Sequence, residues 1–201
     1  MTGISTALAG AVTIAVVSTI GDFIWANWLP EHRGIYGLIH GTVLFLSIGA
    51  VLGVVGATRA ARVRRAATGA LAGGIVGLLG AGAFYLLSPV VGFSAMFVVW
   101  FGTWIVLAWV YGYLSAARID RGHLRDIRID RRAILTRGIV AAIASALAFY
   151  SISGIWRPFN PQGWDYLMHF GAWTLAYFPG FAALLVARRQ ASDAVPSRAE
   201  T

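Results

Sequence analysis

Four ionisable side chains interrupt long apolar segments of this sequence, and their types suit ligand binding or proton chemistry. They are Asp22, His40, Asp165 and His169. A charged side chain inside a bilayer is costly, about 2.5–3.5 kcal/mol for an Asp at the centre of a spanning helix. Such residues are rare in membrane spans unless they pair or contact water, so these four mark a candidate site.

The spacing of residues predicts local pairs around these side chains. Asp165 and His169 are four positions apart, so they share one helix face and can form a hydrogen bond. A carboxylate that holds one imidazole nitrogen leaves the other nitrogen as a ligand or a base. The same spacing from Asp22 and His40, together with charge, predicts three supporting residues: Ser18, Tyr36 and Arg157.

Three functions are compatible with such a cluster, and the sequence leaves them open. The favoured one is a small outward-facing Asp/His site that binds a metal, haem or a small ligand, with His40 and His169 as the metal ligands. The second is a small transporter or proton-coupled carrier, because Asp/His chains carry protons through membranes. The third is a purely structural or assembly subunit of a membrane complex. No metalloprotease or haem-attachment motif is present, so the sequence indicates no enzyme class.

Composition places these residues in a membrane protein. Of 201 residues, 58% are hydrophobic and 12% are charged, against about 25% charged in soluble domains. Residues 66–117 include no charged residue or His, although ~20 apolar residues suffice to cross a bilayer. Ser88-Pro89 and Gly92 predict a turn within this run. Six spans follow, at about 4–28, 34–57, 67–88, 92–116, 138–156 and 164–187.

The basic residues predict the orientation of these spans. All sixteen are Arg, and all but Arg33 and Arg157 lie between spans two and three, between spans four and five, or in the tail. Because basic residues are retained on the cytoplasmic face, both termini are predicted to be cytoplasmic, in a bacterial or archaeal cytoplasmic membrane. The prediction is an all-α polytopic bundle of six transmembrane helices over 1–187, with a disordered cytoplasmic tail over 188–201.

Arg clusters and glycine repeats predict the contacts of the chain. The clusters suit anionic lipid head groups of the bilayer rather than nucleic acid, because they lie between apolar spans. Small residues four positions apart let helix backbones approach closely in lipid, and packing within one chain is favoured over a homo-oligomer or a membrane-complex interface. The predicted packing residues are Gly37, Gly41, Gly69, Gly73 and Gly77.

An aromatic stripe marks the fourth predicted span. Trp100, Trp104 and Tyr111 recur at helical spacing along it. Such a stripe can wall a flat ligand such as a quinone, a carotenoid or a porphyrin. Ordinary packing or contact with lipid is the favoured interpretation, because bulky aromatic rings are the usual filling of helical cores and membrane interfaces.

Overall fold

The computed structural model describes residues 3–28, 33–92, 94–116, 130–152 and 161–193, and these residues are almost entirely helical. Each of the six α-helices contains a stretch long and apolar enough to span a membrane, as the sequence predicted. A short 3-10 turn, Arg59–Ala61, precedes the third helix. The helices are α1 Gly3–Trp28, α2 Arg33–Val54, α3 Arg62–Val91, α4 Ser94–Ala116, α5 Arg131–Ile152 and α6 Asp165–Asp193.

The six helices form a closed ring in chain order. Each helix packs against the next, and α1 closes the ring by an extensive contact with α6. Gly10 of α1 lies against Phe181 of α6, and Asp22 lies against His169, so these two helices run in opposite directions. The first and last helices are therefore neighbours, a relation that joins residues far apart in the sequence.

The two ends of the bundle differ in charge. The ionisable residues of the apolar segments lie toward the end where α1 finishes and α6 begins. The described Arg side chains lie at the opposite end, where α3 and α5 begin. The orientation of these two ends relative to the cytoplasm stays a prediction. The Arg residues concerned are Arg59, Arg62, Arg64, Arg65, Arg131, Arg132 and Arg137.

The most extensive helix contact joins α2 and α3, and glycine makes it close. A Cβ atom built on Gly49 would lie 2.0 Å from the carbonyl oxygen of Gly69, and one on Gly73 would lie 2.1 Å from that of Phe45. Backbones this close gain van der Waals contact, which is what holds helices together in lipid. The glycines predicted to pack helices all lie on this interface: Gly37, Gly41, Gly69, Gly73 and Gly77.

The turn between α3 and α4 differs from the sequence prediction. The prediction began this turn at Ser88, whereas α3 continues through Pro89 to Val91. A proline in the last helical turn removes one backbone hydrogen bond and leaves the rest of the ladder intact. Gly92 then ends the helix with a φ of 61°, a conformation that suits a residue without Cβ, and its N–H donates to the carbonyl oxygen of Ser88 at 2.9 Å.

Two further boundaries extend into segments that the sequence assigned to loop and tail. Helix α5 begins at Arg131, because Asp130 Oδ1 accepts a hydrogen bond from the backbone N–H of Ala133 at 3.0 Å and so caps the helix. Helix α6 continues to Asp193, within the tail predicted to be disordered. The remainder of that tail, 194–201, lies outside the described residues.

Aromatic rings from α4, α5 and α6 fill the core. Trp100 stacks on Phe149 with 4.8 Å between ring centroids, and on Tyr177 with 5.3 Å. Trp104 and Tyr111 of the predicted stripe are also buried. The stripe is therefore core packing, which is the favoured of the two interpretations drawn from the sequence.

Candidate functional site

Asp22 lies at the interface of α1 and α6, where two ring N–H groups share one of its oxygens. Nδ1 of His169 lies 3.0 Å from Oδ2 of Asp22, and Nε1 of Trp173 donates to the same oxygen at 2.8 Å. His169 and Trp173 are four positions apart and so project from one face of α6. The side chains of Asp22 and His169 are only 13% and 4% exposed. This arrangement holds a carboxylate in a fixed position inside the bundle.

The contact with Asp22 determines where His169 carries a proton. An ionised carboxylate can only accept hydrogen bonds, so Nδ1 of His169 must carry a hydrogen. In the neutral ring, Nε2 then bears a lone pair and Asp22 keeps an uncompensated negative charge. In the doubly protonated ring, His169 becomes the counter-ion of Asp22. The two states of the pair differ by one proton.

His40 reaches this region from α2 by packing directly on the backbone of α1. A Cβ atom on Gly21 would lie 2.0 Å from Cε1 of His40, so only glycine admits the ring. His40 lies within electrostatic range of Asp22, although no hydrogen bond joins the two within the described ranges. Tyr36 stacks on His40 with 5.7 Å between ring centroids, and its hydroxyl donates to the carbonyl oxygen of Gly21.

An aromatic surface continues from His40 to the end of the bundle. Trp25 of α1 stacks on the outer side of Tyr36, with ring centroids 6.3 Å apart and the planes only 15° from parallel. Trp25 is exposed, whereas Tyr36 is buried. Trp25, Tyr36 and His40 therefore form a stack of three nearly parallel rings, with Tyr36 in the middle.

One helical turn deeper, two hydroxyl groups face the same α1–α6 interface. Ser18 precedes Asp22 by four residues and Tyr177 follows Trp173 by four, and their side chains are 0% and 1% exposed. Tyr177 lies close enough to Ser18 for a side-chain hydrogen bond and within electrostatic range of Asp22. The contact between the two hydroxyls falls short of strict hydrogen-bond geometry, and no other described residue bonds to either of them.

Beyond these hydroxyls the interface becomes apolar. The buried side chains of α1 and α6 that follow toward the Arg-rich end contribute methyl groups and rings. The polar side chains along the α1–α6 interface therefore end one helical turn below Asp22. We call them the polar strip: Ser18, Asp22, His169, Trp173 and Tyr177. The apolar residues are Ala7, Ala11, Ile14, Phe181 and Leu184.

Asp165 does not form the pair with His169 that its spacing predicted. Its Oδ2 accepts the backbone N–H of Gln162 at 2.9 Å, and its own N–H donates to the carbonyl oxygen of Gln162 at 3.0 Å. In the part of the chain that the structure describes, no hydrogen bond joins Asp165 to His169. Backbone N–H groups near the start of a helix lack helical partners and favour a carboxylate. Because the carboxylate of Asp165 bonds to the backbone N–H of Gln162, it does not pair with His169.

The predicted metal ligands His40 and His169 gain no third ligand among the described residues. Over residues 3–28, 33–92, 94–116, 130–152 and 161–193, no group of three His, Cys, Asp or Glu side chains can hold a metal ion. Arg157, the predicted counter-charge, lies outside the described residues. Trp173 was not predicted to take part, although its spacing of four from His169 was a signal for it.

Trp173 links the site to the aromatic core. Its ring stacks on Phe149 with 5.8 Å between centroids and on Tyr177 with 5.7 Å. Packing on two rings restrains the indole, so its N–H stays directed at Asp22. The chain matches no protein-family model, no curated protein and no solved structure, and its function is therefore inferred from the geometry above.

Proposed function

We propose that this chain is an integral membrane protein that binds a small ammonium-bearing ligand at Asp22, from the end of the bundle where α1 finishes. The observation that carries the proposal is the carboxylate of Asp22, which His169 and Trp173 hold by one oxygen. Both donors bond to Oδ2, and no donor among the described residues bonds to Oδ1, which can accept a further hydrogen bond. The six apolar helices are compatible with the membrane location.

Charge is the first argument for a cationic ligand. The indole N–H of Trp173 is neutral, so its hydrogen bond leaves the negative charge of Asp22 in place. A carboxylate that is largely removed from water needs a counter-charge. Protonated His169 supplies that charge from within the protein, and a bound ammonium group supplies it when His169 is neutral. A proton on His169 and a cation at Asp22 are therefore alternatives.

The aromatic rings are the second argument, and they favour an organic cation over a metal ion. Tyr36 and His40 lie within electrostatic range of Asp22, and Trp25 stacks on Tyr36. Aromatic faces attract ammonium groups by about 0.5–2 kcal/mol, depending on desolvation. A metal ion instead needs a shell of several oxygen or nitrogen ligands, and the described residues supply no such group.

The apolar interface below Tyr177 favours a one-sided binding site over transport across the membrane. A carrier needs a polar path to both ends of the bundle, or a conformation that opens one. Here Ile14 and Phe181, both fully buried, follow directly on the polar strip. The transport alternative therefore receives no support from the described residues.

A purely structural role is the second candidate, because both hydrogen bonds of Asp22 tie α1 to α6. Removing one partner of a buried charged pair destabilises a protein whether or not a ligand binds. Loss of stability in an Asp22 variant therefore does not separate the two candidates. Ligand binding does.

Binding is tested with methylammonium chloride on the purified protein in lipid nanodiscs, at constant ionic strength, by tryptophan fluorescence. We expect a saturable change, because the indole of Trp173 bonds to Asp22. Asp22→Asn should abolish it, since Asn keeps the shape and removes the charge. Asp165→Asn is the matched control and should retain it, because Asp165 holds the turn before α6.

The His169 variant supplies a further arm of this experiment. His169→Gln keeps an N–H donor for Asp22 and cannot supply the counter-charge, so it should still bind methylammonium. A wild-type protein that shows no saturable response would leave the structural role as the correct one.

A further inference from the structure

We propose that α6 bends at Pro179 and that Ser145 is the positioning residue that holds the part of α6 bonded to Asp22 in place. That part is residues 165–176, which we call the first segment of α6. Residues 180–186, beyond the proline, are its second segment. The hinge does not require that an ammonium ligand bind at Asp22.

Pro179 interrupts the hydrogen bonding of α6 within its apolar span. Proline has no N–H to donate to the carbonyl oxygen of Leu175, and its ring crowds that carbonyl. Sharp bends in helices occur at such positions. In lipid, Ser and Thr side chains and neighbouring helices bond to the backbone groups that a proline frees. The backbone of α6 is therefore weakest between Leu175 and Pro179.

Ser145 of α5 bonds to α6 directly at this weak point. Its Oγ donates to the carbonyl oxygen of Ala176 at 2.6 Å and accepts from Nε1 of Trp100 at 3.0 Å. The side chain of Ser145 is 0% exposed, so bulk water does not reach the bond. Ser145 therefore fixes the backbone of α6 where the hydrogen bonding of the helix itself is poorest.

The second segment of α6 is held by close apolar packing. Phe181 is fully buried and lies against Gly10 of α1. The ring of Trp104 lies on the backbone of Gly180, so closely that a Cβ atom there would overlap it. A segment packed in this way cannot shift without opening voids. It is the stationary part of the hinge.

The first segment is held against α1 by hydrogen bonds instead. His169 and Trp173 bond to Asp22, and the hydroxyl of Tyr166 accepts from Nδ2 of Asn27 at 3.0 Å. Such bonds can be exchanged for bonds to water at a modest net cost. A bend at Pro179 would carry both donors away from Asp22 and open the α1–α6 interface at the site.

The length of the first segment sets the size of this motion. Leu167 lies twelve residues before Pro179, which is about 18 Å along a helix. A bend of about 20°, the lower limit of a sharp kink, moves a point at that distance by about 6 Å. Removing the Ser145 bond should raise the ratio of bent to straight forms by about fivefold, the usual effect of one hydrogen bond.

The test measures distances between two spin labels by double electron–electron resonance, in nanodiscs and without ligand. The chain has no Cys, so each label reacts only at an introduced one. Leu79→Cys on α3 and Leu167→Cys on the first segment replace exposed residues and report the motion. Leu79→Cys with Leu147→Cys on α5 is the matched control pair. Ser145→Ala should add a population displaced by up to about 6 Å to the first pair and leave the control pair unchanged.

A second substitution locates the hinge. Pro179→Ala restores the missing N–H, so Pro179→Ala combined with Ser145→Ala should lose the displaced population. Pro89→Ala combined with Ser145→Ala should keep it, because Pro89 lies in the last turn of α3. The proposal is overturned if Ser145→Ala gives no displaced population, or if that population persists without Pro179.

Trp100→Phe separates the bond to Ala176 from general packing around Ser145. It removes the N–H that Ser145 accepts and keeps the bond that Ser145 donates, so the distances should stay as in the wild-type protein. A displaced population as large as that of Ser145→Ala, or a change in the control pair, would mean that loosened packing moves the helix and would refute the role of Ser145. Methylammonium is absent from these measurements, so failure of the hinge and failure of the ligand site are recognised separately.

Discussion

Replacing Gly49 by Ala should separate α2 from α3, and the structure sets the size of the effect. The added Cβ would lie 2.0 Å from the carbonyl oxygen of Gly69 and 3.0 Å from Cα of Gly73. Both obstacles are backbone, so no side-chain rotation can relieve them. The helices must move apart by roughly 1.4 Å, the difference between 2.0 Å and the 3.4 Å at which ordinary contact begins.

Such a displacement is large on the scale of packing energies. A gap of 0.5–1 Å already forfeits about a quarter to a half of the dispersion attraction between facing atoms. Overpacking a tight interface typically costs about 1–3 kcal/mol. Because the contact between α2 and α3 is the most extensive in the bundle, we expect Gly49→Ala to lower the free energy of unfolding by about 3 kcal/mol.

The assay is reversible unfolding by sodium dodecyl sulfate in mixed micelles, followed by tryptophan fluorescence. Gly82→Ala is the matched control, since it lies on α3 with no atom within 4 Å of its added Cβ, and we expect it to be neutral or slightly stabilising. Gly49→Ala combined with Gly69→Ala should cost less than the sum of the two single variants, because both open the same gap. Equal stability of Gly49→Ala and Gly82→Ala would refute the reasoning.

Three further predictions concern the site, the orientation and the lipid contacts. Trp173→Phe keeps an aromatic ring but removes the N–H that binds Asp22, so the free energy of unfolding should fall by about 1.5–3 kcal/mol. An unchanged free energy of unfolding would show that this hydrogen bond does not contribute to stability. The chain has no Cys, so a maleimide would label only the new thiol of an Ala60→Cys variant. An impermeant maleimide should react with this variant in inside-out vesicles and not in intact cells. The reverse pattern would reject cytoplasmic termini. Replacing Arg62 and Arg64 by Gln should reduce the amount of phosphatidylglycerol retained on the purified protein, because each Arg contributes about 1 kcal/mol near an anionic surface. Native mass spectrometry measures the retained lipid. Unchanged retention would contradict lipid binding at the Arg-rich end of the bundle.

The fold class could be predicted from the sequence, because the length of an apolar run can be counted directly along the chain. The uncharged run 66–117 is long enough for two spans, and α3 and α4 occupy it. Helix ends were predicted less well, because they depend on local bonds. Asp130 caps α5 inside a segment whose charge resembles that of a loop, and Pro89 is tolerated in the last turn of α3.

The partners of the site residues could not be predicted in the same way. Spacing within one helix paired Asp165 with His169, whereas His169 bonds to Asp22 on another helix. Periodicity gives the face on which a residue lies but not the helix that the face meets. Among the observed partners of Asp22 that the sequence analysis missed, Trp173 could have been predicted, because it shares a helix face with His169.

The pairing of the first helix with the last has a consequence for how this protein is made. Asp22 and His169 are 147 residues apart, and ribosomes add ~5–20 residues per second. Roughly 7–30 s therefore pass between the synthesis of Asp22 and that of its partner. The hairpin of α2 and α3 can close early in that interval, because its facing glycines are close in the chain. Until α6 is made, Asp22 on α1 lacks both of its hydrogen-bond donors, and a carboxylate without partners is costly inside the bilayer. A chain that stops before α6 would leave Asp22 without either of these donors permanently.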